Sequence, residues 1–227
     1  GWGGLGLFLN RHYGCEVLGV TLSEEQLKVA RARAEAAGVA DKVKFELIDY
    51  RRVTGAFDRI VSVGMFEHVG PPQYRTFFRK CRDLLADDGV MLLHSIGRMG
   101  APGVTDDWTV KYIFPGGYNP ALSEIVRAYE GLRLFPTDVE VLRLHYSWTL
   151  DNWYDRTVAA KDEIVALYDE NFYRMWTFYL AGAAAAFRNG GLCNYQVQLC
   201  KSRTAVPVTR DYMFDGERAL RESAPSA

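Results

Sequence analysis

Short apolar runs alternate with helix-like segments along most of the chain, and this alternation restricts the folds open to it. Four apolar runs in the first half have the length and composition of buried strands: 15–20, 42–50, 57–64 and 90–97. Two segments between them have helical apolar spacing: 21–38 and 71–89. Strands separated by helices pair in parallel through right-handed crossovers. The sequence therefore predicts an α/β fold built on a parallel sheet.

The second half of the chain departs from this rhythm after Gly97. Residues 98–135 are rich in glycine, proline and aromatic residues. Three further elements are predicted: a strand at 137–146, a helical region at 151–188 and a last strand at 194–202. From Arg203 the apolar periodicity fades. We expect one domain over 1–205, with insertions at about 98–135 and 151–188, and a flexible tail over 206–227.

Composition and charge exclude several classes of function. The chain has 227 residues, of which 48% are hydrophobic, so it can bury a full core. Its net charge of −1 provides no basic field for nucleic acid, and no apolar run approaches the ~18 residues of a membrane-spanning helix. The four cysteines are scattered, without the C-x-x-C pairs of a zinc site or the density of a disulfide scaffold. We predict no metal site and a reducing, cytoplasmic setting.

The chain begins with a glycine-rich turn, GWGGLG, that leads directly into an apolar helical stretch. Its glycines at positions 1, 3 and 6 fit G-x-G-x-x-G, which lets a ligand approach backbone amides at the start of a helix. Nicotinamide cofactors usually need an acidic residue about 20 positions further on. Here the first strand ends in Thr21 and Leu22 instead. A nicotinamide cofactor is therefore disfavoured.

Two residues after the second strand offer an alternative ligand contact. Asp49 and Tyr50 supply a carboxylate and an aromatic face, which suit the amino group and the ring of an adenine. The other interpretation is that Asp49 caps a turn and Tyr50 is a surface aromatic residue, and spacing leaves both open. In the preceding helix, Ser23 and Gln26 have the spacing of a capping box.

Polar residues also stand at two positions where a parallel sheet would place a ligand. Glu67 directly follows the strand FDRIVSVG, and His94 lies inside the apolar strand VMLLHSIG. Taken alone, Glu67 could be a helix-start charge and His94 a satisfied core residue. The ends of adjacent parallel strands meet at one edge, however, so we expect these two side chains to converge on one site.

Several motifs taken together resemble a known family. In order they are GWGGLGLFL, GVTLSEEQ, DYR, FDRIVSVGMFEHVG, DDGVMLLHSIG, WTVKYIFPGGYNP and FYLAGAAAAFR. They closely resemble the cyclopropane-fatty-acyl-phospholipid synthases and the related mycolic acid cyclopropane synthases, over nearly all of the chain up to about Lys201. The resemblance implies a Rossmann-like S-adenosylmethionine-dependent methyltransferase fold, with a parallel sheet, an antiparallel last strand and a helical insertion over the site. It implies addition of a methylene group across a cis double bond of a lipid acyl chain.

The resemblance also implies the residues of the active site. After methyl transfer to an alkene, a base must remove a proton from the new methyl group of a carbocation. In the family that base is a bound bicarbonate ion, held by side chains that match Glu67, His94 and Tyr146, with a backbone contact that matches Ile96. We infer that Glu67 accepts the hydroxyl proton of bicarbonate, since a carboxylate would otherwise repel the anion.

For S-adenosylmethionine, the resemblance assigns residues at three places. These are Gly1 and Gly3 at the methionine end, Thr21, Leu22 and Gln26 around the ribose and adenine, and Asp49 and Tyr50 at the adenine. The residues of the acyl channel are left unassigned, because aromatic residues at helical spacing more often belong to the ordinary core. Its candidates are Phe114, Tyr118, Phe172, Tyr173, Trp176, Phe178, Tyr179 and Phe187.

The sequence departs from the family pattern at two places, and each departure leads to a prediction. Ala183 stands where family members often have a cysteine, which argues against a cysteine nucleophile. In the family a strand precedes the glycine turn, so we expect an N-terminally truncated chain whose first central strand is missing. The strands ending at Val20 and at Val63 should then not pair directly.

The resemblance implies unsaturated phospholipid acyl chains as partners, met at the inner face of the membrane by a peripheral cytoplasmic enzyme, with a homodimer left open. Two alternatives remain. One is a methyltransferase that makes methyl-branched lipid or methylates another small acceptor. The other is a non-catalytic cofactor-binding protein.

Overall fold

The strands of the protein form two sheets in a computed structural model that describes residues 1–223. Strands β1 (Val17–Thr21) and β2 (Val43–Leu47) pair in parallel as a two-stranded sheet. The second sheet has four strands in the order β3–β4–β6–β5: β3 (Phe57–Val63), β4 (Leu85–Arg98), β6 (Leu192–Cys200) and β5 (Phe135–Leu142). Direct pairing of β1 with β3, which the sequence argues against, is not found among these residues.

The four-stranded sheet has one strand of opposite direction. Strands β3 and β4 run parallel, whereas β6 pairs antiparallel with both β4 and β5. The expected parallel sheet with an antiparallel last strand is therefore confirmed. The chain divides into two compact units, here called the first unit (1–55 with the described residues from Pro207) and the second unit (56–206).

The first unit is a small α/β layer around its two strands. Helix α1 (Gly4–Tyr13) precedes β1, and α2 (Glu24–Ala36) joins β1 to β2. Its core contains two alanines of α2 and two residues of β2: Ala30, Ala34, Val43 and Phe45. Leu7, Val17, Leu27 and Val39 pack against them. The expected strand–helix–strand order over 15–50 is therefore confirmed.

The first unit also contains a helix in the segment for which the sequence analysis expects a flexible tail. Helix α9 spans Asp211–Ser223, while residues 224–227 lie outside the described part of the chain. Local pairs support the helix: Arg221 bonds Glu217 one turn earlier, and Arg218 lies 3.5 Å from Asp215.

The helix before β4 buries the residues expected from its spacing. Helix α3 spans Tyr74–Leu84, and Phe77, Phe78 and Cys81 are buried. Strand β4 begins at Leu85, five residues before the predicted start, because the chain is already extended there. Its register against β3 shifts between Phe57 and Arg59, so the Asp88-Gly89 segment forms an irregular stretch of the strand rather than a separate turn.

The remaining helices belong to the second unit, between β4 and β6. They are α4 (Asp107–Tyr112), α5 (Leu122–Tyr129), α6 (His145–Ala159), α7 (Lys161–Leu167) and α8 (Glu170–Asn189). The strand predicted at 137–146 ends at Leu142, and Tyr146 therefore lies in the first turn of α6. Helices α6 and α8 share a core of Leu150, Leu180, Ala184 and Phe187. Within residues 1–223, none of the helices has the length and apolar character needed to cross a membrane.

Candidate active site

The glycine turn of the first unit is built for close backbone packing. Gly3 caps α1 with φ of 87°, a left-handed conformation that side chains rarely adopt. A Cβ atom at Gly3 would lie 2.9 Å from the Cβ of Ala30, and one at Gly6 would lie 3.3 Å from a methyl group of Val17. The glycines at positions 3 and 6 therefore bring α1 against the sheet, as the third glycine of a dinucleotide-type turn does.

The start of α1 leaves backbone donors available to a ligand. The first bond of the helix runs from the Leu7 amide to the Gly3 carbonyl, so the amides of residues 4–6 have no acceptor within the helix. Gly1 is exposed, and a Cβ atom there would meet nothing within 4 Å. An arrangement of this kind suits a polar or anionic ligand group.

The residues expected around the ribose form a hydrogen-bonded set at the end of β1. The Thr21 hydroxyl donates to Oε1 of Gln26 at 2.7 Å and accepts from the Ser23 amide at 3.1 Å. Ser23 caps α2 by accepting from the Gln26 amide, as expected. The side chain of Gln26 bonds Thr21 rather than the Ser23 amide, so only half of the expected capping box forms. Leu22 is 72% exposed beside this set.

Asp49 has the capping role that the sequence analysis left open. Its carboxylate caps a 3₁₀ turn (Tyr50–Arg52) by accepting from the Arg51 amide at 2.9 Å, and it pairs with the Arg51 guanidinium. Hydrogen bonds from Arg51 lower the pKa of Asp49 to about 2. Tyr50 is half-buried next to it. The carboxylate is thus ionised and oriented, which is compatible with a later contact to an adenine amino group.

In the second unit, Glu67 is a buried carboxylate with one oxygen in use. It lies in a 3₁₀ turn (Phe66–His68) directly after β3 and is 7% exposed. Oε1 accepts from the Ile96 amide at 2.7 Å, whereas Oε2 is buried without a hydrogen-bond partner among the described residues. Leaving such an atom unpaired costs about 1–3 kcal/mol. A buried orphan acceptor of this kind indicates a place for a hydrogen-bond donor from outside the chain.

The Ile96 amide bears on one of the expected contacts. The resemblance implies a backbone contact from Ile96 to bicarbonate, but here the amide hydrogen is directed to Glu67. Ile96 therefore orients the carboxylate, and its direct contact with an anion stays a prediction. Glu67 is also fixed through its own carbonyl, which accepts from the Tyr118 amide at 2.9 Å.

Tyr146 lies near Glu67 and is largely enclosed. Its ring packs edge-on against Phe187, with centroids 5.1 Å apart, and both Tyr146 and Ile96 pack on the core of α6 and α8. Burial raises the pKa of Tyr146, and the charge of Glu67 raises it further. The phenol therefore stays protonated at neutral pH and is a hydrogen-bond donor.

His94 lies between two side chains of β6, each within hydrogen-bond distance of one of its ring nitrogens. Its Nδ1 lies 3.2 Å from Oε1 of Gln196, and its Nε2 lies 3.4 Å from Nδ2 of Asn194. Gln196 in turn donates to Oε2 of Glu140 on β5 at 2.8 Å. Asn194 is 5% exposed, and its Oδ1 is a second buried oxygen without a partner among the described residues. His94 and Ile96 lie on the same face of β4, since they are two residues apart.

The sequence analysis missed Asn194, Gln196 and Glu140. A signal for two of them is present in the last strand, NYQVQLC, where polar Asn194 and Gln196 alternate with buried Tyr195 and Val197. A polar face on a strand that is paired on both sides indicates either a hydrogen-bond network or a site. The partner on β5 depends on register, which the sequence does not reveal.

An aromatic groove of about 1070 Å³ lies along α8 in the second unit. Five aromatic side chains line it: Trp108, Tyr112, Tyr154, Phe172 and Phe178. Of the acyl-channel candidates, Phe172 and Phe178 line this groove. Trp176 and Tyr179 pack instead on the core of α6 and α8, to which Phe187 belongs. Helix α8 thus presents aromatic residues both to the groove and to the cluster that holds Tyr146.

The predicted residues therefore fall into two groups. Glu67, Ile96, His94 and Tyr146 gather within the second unit, through the contacts given above. The cofactor residues expected at positions 1, 3, 21, 22, 26, 49 and 50 all belong to the first unit. The group in the first unit offers backbone N–H donors and an oriented carboxylate. The group in the second unit offers buried polar groups, including oxygens that have no partner among the described residues.

Comparison with known proteins gives consistent matches. The pattern of the mycolic acid cyclopropane synthetase family matches residues 1–197. The cyclopropane-fatty-acyl-phospholipid synthase of Escherichia coli K12 is 42% identical over 197 residues, covering 87% of this chain and 50% of that protein. The tuberculostearic acid methyltransferase of Mycobacterium tuberculosis is 39% identical over 209 residues, covering 88% of this chain and 48% of that protein. This chain thus spans about half the length of the curated relatives it matches.

A solved structure extends the match to three dimensions. The mycolic acid cyclopropane synthase CmaA1, complexed with SAH and CTAB, superposes with a TM-score of 0.81 at 31% identity. The superposition covers 88% of this chain and 74% of that one. The expected methyltransferase fold is therefore confirmed.

Proposed function

The chain belongs to the mycolic acid cyclopropane synthetase family, and on this premise we propose that it acts on unsaturated phospholipids. It transfers a methylene group from S-adenosylmethionine to a cis double bond of an acyl chain and so forms a cyclopropane ring. The observation that carries this proposal is the buried Oε2 of Glu67, which has no hydrogen-bond partner among the described residues and whose carboxylate charge acts on the Tyr146 phenol. Few buried polar atoms of folded proteins lack a partner, and each such atom calls for an explanation.

The polar groups of the second unit suit a small anion that carries one hydroxyl, such as bicarbonate. Glu67 Oε2 would accept from that hydroxyl, and the Tyr146 phenol would donate to one of the other oxygens. His94 would lie beside the anion, with Nε2 able to take up the proton that bicarbonate acquires. Bound bicarbonate would supply the base that takes a proton from the newly transferred methyl group. Because Ile96 and Tyr118 fix Glu67 through the backbone, the acceptor is held in place before any ligand arrives.

The first unit suits S-adenosylmethionine, which would supply the methyl group. The open amides at the start of α1 would meet its methionine end, and the Thr21–Gln26 set would meet the ribose. Asp49 would accept from the adenine amino group, since hydrogen bonds from Arg51 keep it ionised and oriented. Leu22 and Tyr50 offer two faces for the adenine ring.

The aromatic groove along α8 suits the acyl chain. An acyl chain that lies on the five aromatic side chains of the groove would displace water from them and would be held without hydrogen bonds. A dry site matters here, because water would quench a carbocation before the ring closes. We place the encounter with the lipid at the inner membrane surface, as a peripheral contact.

Conversion of an unsaturated phospholipid tests the proposal. The purified protein is given vesicles of cis-unsaturated phospholipid and S-adenosylmethionine with a ¹³C-labelled methyl group, with and without bicarbonate. We expect ¹³C NMR to show cyclopropane ring carbons, and removal of bicarbonate to lower their rate of formation. A labelled methyl branch without ring signals would instead support the methyl-branching alternative. Binding of S-adenosylhomocysteine with no lipid product in either form would overturn the proposed activity.

A further inference from the structure

We propose that Gln196 and Glu140 are positioning residues that hold His94 as the tautomer with its proton on Nδ1. This inference rests on the proposed function for its catalytic consequence, because His94 is one of the residues expected to meet the bound anion. The hydrogen-bond network itself lies in β4, β5 and β6 of the second unit and involves no ligand.

Glu140 lies at the far end of the network from His94. An ionised carboxylate only accepts hydrogen bonds. The amide nitrogen of Gln196 must therefore face Glu140, and Nε2 donates to Oε2 of that carboxylate at 2.8 Å. The amide oxygen of Gln196 is then directed to the other side, where it lies 3.2 Å from Nδ1 of His94.

The orientation of Gln196 decides where the imidazole proton lies. An amide oxygen can only accept, so Nδ1 of His94 must carry the proton that it donates. A neutral ring then has a lone pair on Nε2, and Asn194 donates toward that nitrogen from 3.4 Å. Glu140 thus selects the tautomer of His94 through Gln196. The strand register makes this transfer possible, because Glu140 and His94 both pair with Gln196.

The consequence for the site is that His94 offers an acceptor, not a donor, on Nε2. The ring can accept a hydrogen bond or take up a proton there, and Gln196 links the resulting positive charge to the Glu140 carboxylate. A histidine with the opposite tautomer would present N–H at this position, so it would only donate there and would not take up a proton. The network therefore complements the donor that Tyr146 already supplies.

A spectroscopic measurement tests the tautomer without relying on turnover. In protein with ¹⁵N-labelled histidine, we expect His94 to show a protonated, pyrrole-type Nδ1 and a pyridine-type Nε2 at a pH where the ring is neutral. The signal is assigned by its loss in His94→Asn. Observation of the opposite tautomer in the unmodified protein would overturn the proposal.

Variants then separate positioning from a merely structural role. Gln196→Leu removes the acceptor, and we expect the proton to move to Nε2 and turnover to fall about 10–100-fold, the range seen for outer-shell partners of histidine. The paired change Gln196→Glu with Glu140→Gln keeps an acceptor toward Nδ1 and a donor behind it. This exchange should restore the Nδ1 tautomer and most of the turnover.

Gln198→Leu is the matched control. Gln198 lies two residues along the same strand and donates to the Thr137 hydroxyl of β5, away from His94. It should leave both the tautomer and the turnover unchanged. An unchanged tautomer in Gln196→Leu would overturn the positioning role, whereas the expected tautomers without any bicarbonate dependence would overturn only the proposed function.

Discussion

The two units of the protein hold their candidate residues in opposite ways. In the first unit, the expected cofactor residues lie at the start of α1, at the end of β1, in α2 and at a 3₁₀ turn. Two of their side chains bond neighbours a few positions away: Thr21 bonds Gln26, and Asp49 bonds Arg51. In the second unit, Glu67 and His94 are held by residues 29 and 102 positions away. Buried oxygens of Glu67 and Asn194 have no hydrogen-bond partner within residues 1–223. The residues expected to bind the cofactor are thus held by local contacts, whereas those expected at the reactive site are held by contacts across the sheet.

This contrast predicts that the two groups fail differently. Changes in the second unit should reduce the rate of reaction and leave cofactor affinity intact. Changes in the first unit should reduce cofactor affinity or stability and affect chemistry only through them. A change in the second unit that weakened cofactor affinity, or a change in the first unit that slowed only the chemical step, would contradict this contrast.

The largest effect is expected for Glu67→Gln. The amide keeps the oxygen that accepts from Ile96 but loses the charge at the orphan position, so ring formation should fall about 10²–10⁴-fold, the range for an acid–base group. The dissociation constant for S-adenosylhomocysteine, measured by calorimetry, should be unchanged. The control is Glu163→Gln, at an exposed glutamate of α7. Near-normal turnover in Glu67→Gln would remove Glu67 from the reaction.

Tyr146→Phe should have the next largest effect. The change removes the phenol hydroxyl, which is a hydrogen-bond donor, while the ring keeps its packing against Phe187. Turnover should fall about 10²-fold, as for loss of a single donor from a preorganised site. Steady-state kinetics should show the loss in kcat, with the KM for S-adenosylmethionine unchanged. If the loss fell on cofactor KM instead, Tyr146 would belong with the first group of residues.

Gly3→Ala tests the first unit. Alanine at position 3 would have to adopt a left-handed backbone conformation, and its methyl group would lie 2.9 Å from the Cβ of Ala30. The free energy of unfolding should therefore fall by about 1–3 kcal/mol. Affinity for S-adenosylhomocysteine should weaken, since the start of α1 is displaced. The matched control is Gly4→Ala, because a Cβ atom at Gly4 meets nothing within 4 Å. Denaturant titrations of both variants measure the difference, and equal stabilities would contradict the packing argument.

Phe178→Ala should produce a smaller change, in the use of lipid. Phe178 is 63% exposed and lines the groove, so its loss removes apolar contact without opening the core. We expect the KM for phospholipid to rise about tenfold, or ~1.4 kcal/mol, with kcat retained. Trp148→Ala, at an exposed residue that is not among those lining the groove, should leave the KM unchanged. An equal rise in both variants would point to general surface hydrophobicity rather than to the groove.

The smallest effect is expected for Arg51→Ala and concerns pH. Arg51 lowers the pKa of Asp49 below its unfolded value, so this pair stabilises the fold above the unfolded pKa and ceases to do so as pH falls through about 2. Without Arg51, the pKa of Asp49 should return toward its ordinary value, as a ¹³C titration of the carboxyl carbon would show. The stability difference between the proteins should be fully present above about pH 4 and should disappear as pH falls from there to about 2. A difference that grew at low pH would have the wrong sign.

The sequence by itself determined the parts of this protein that depend on local pattern. Apolar periodicity gave the strands and most helices, the glycine spacing indicated the turn at α1, and the motifs around Glu67 and His94 indicated the family. These features depend on residues close in the chain, where backbone preferences and side-chain periods act directly.

Only the tertiary structure decided which groups meet and which oxygens stay unpaired. Helix α9 lies in a segment that was predicted to be a tail. Tyr146 was predicted in a strand but lies in the first turn of α6. The amide of Ile96 donates to Glu67. The network from His94 through Gln196 to Glu140 depends on the register of three strands, and register is set by packing across the whole sheet. A sequence carries the hydrogen-bonding groups, but the fold determines which of them are left to bind a ligand.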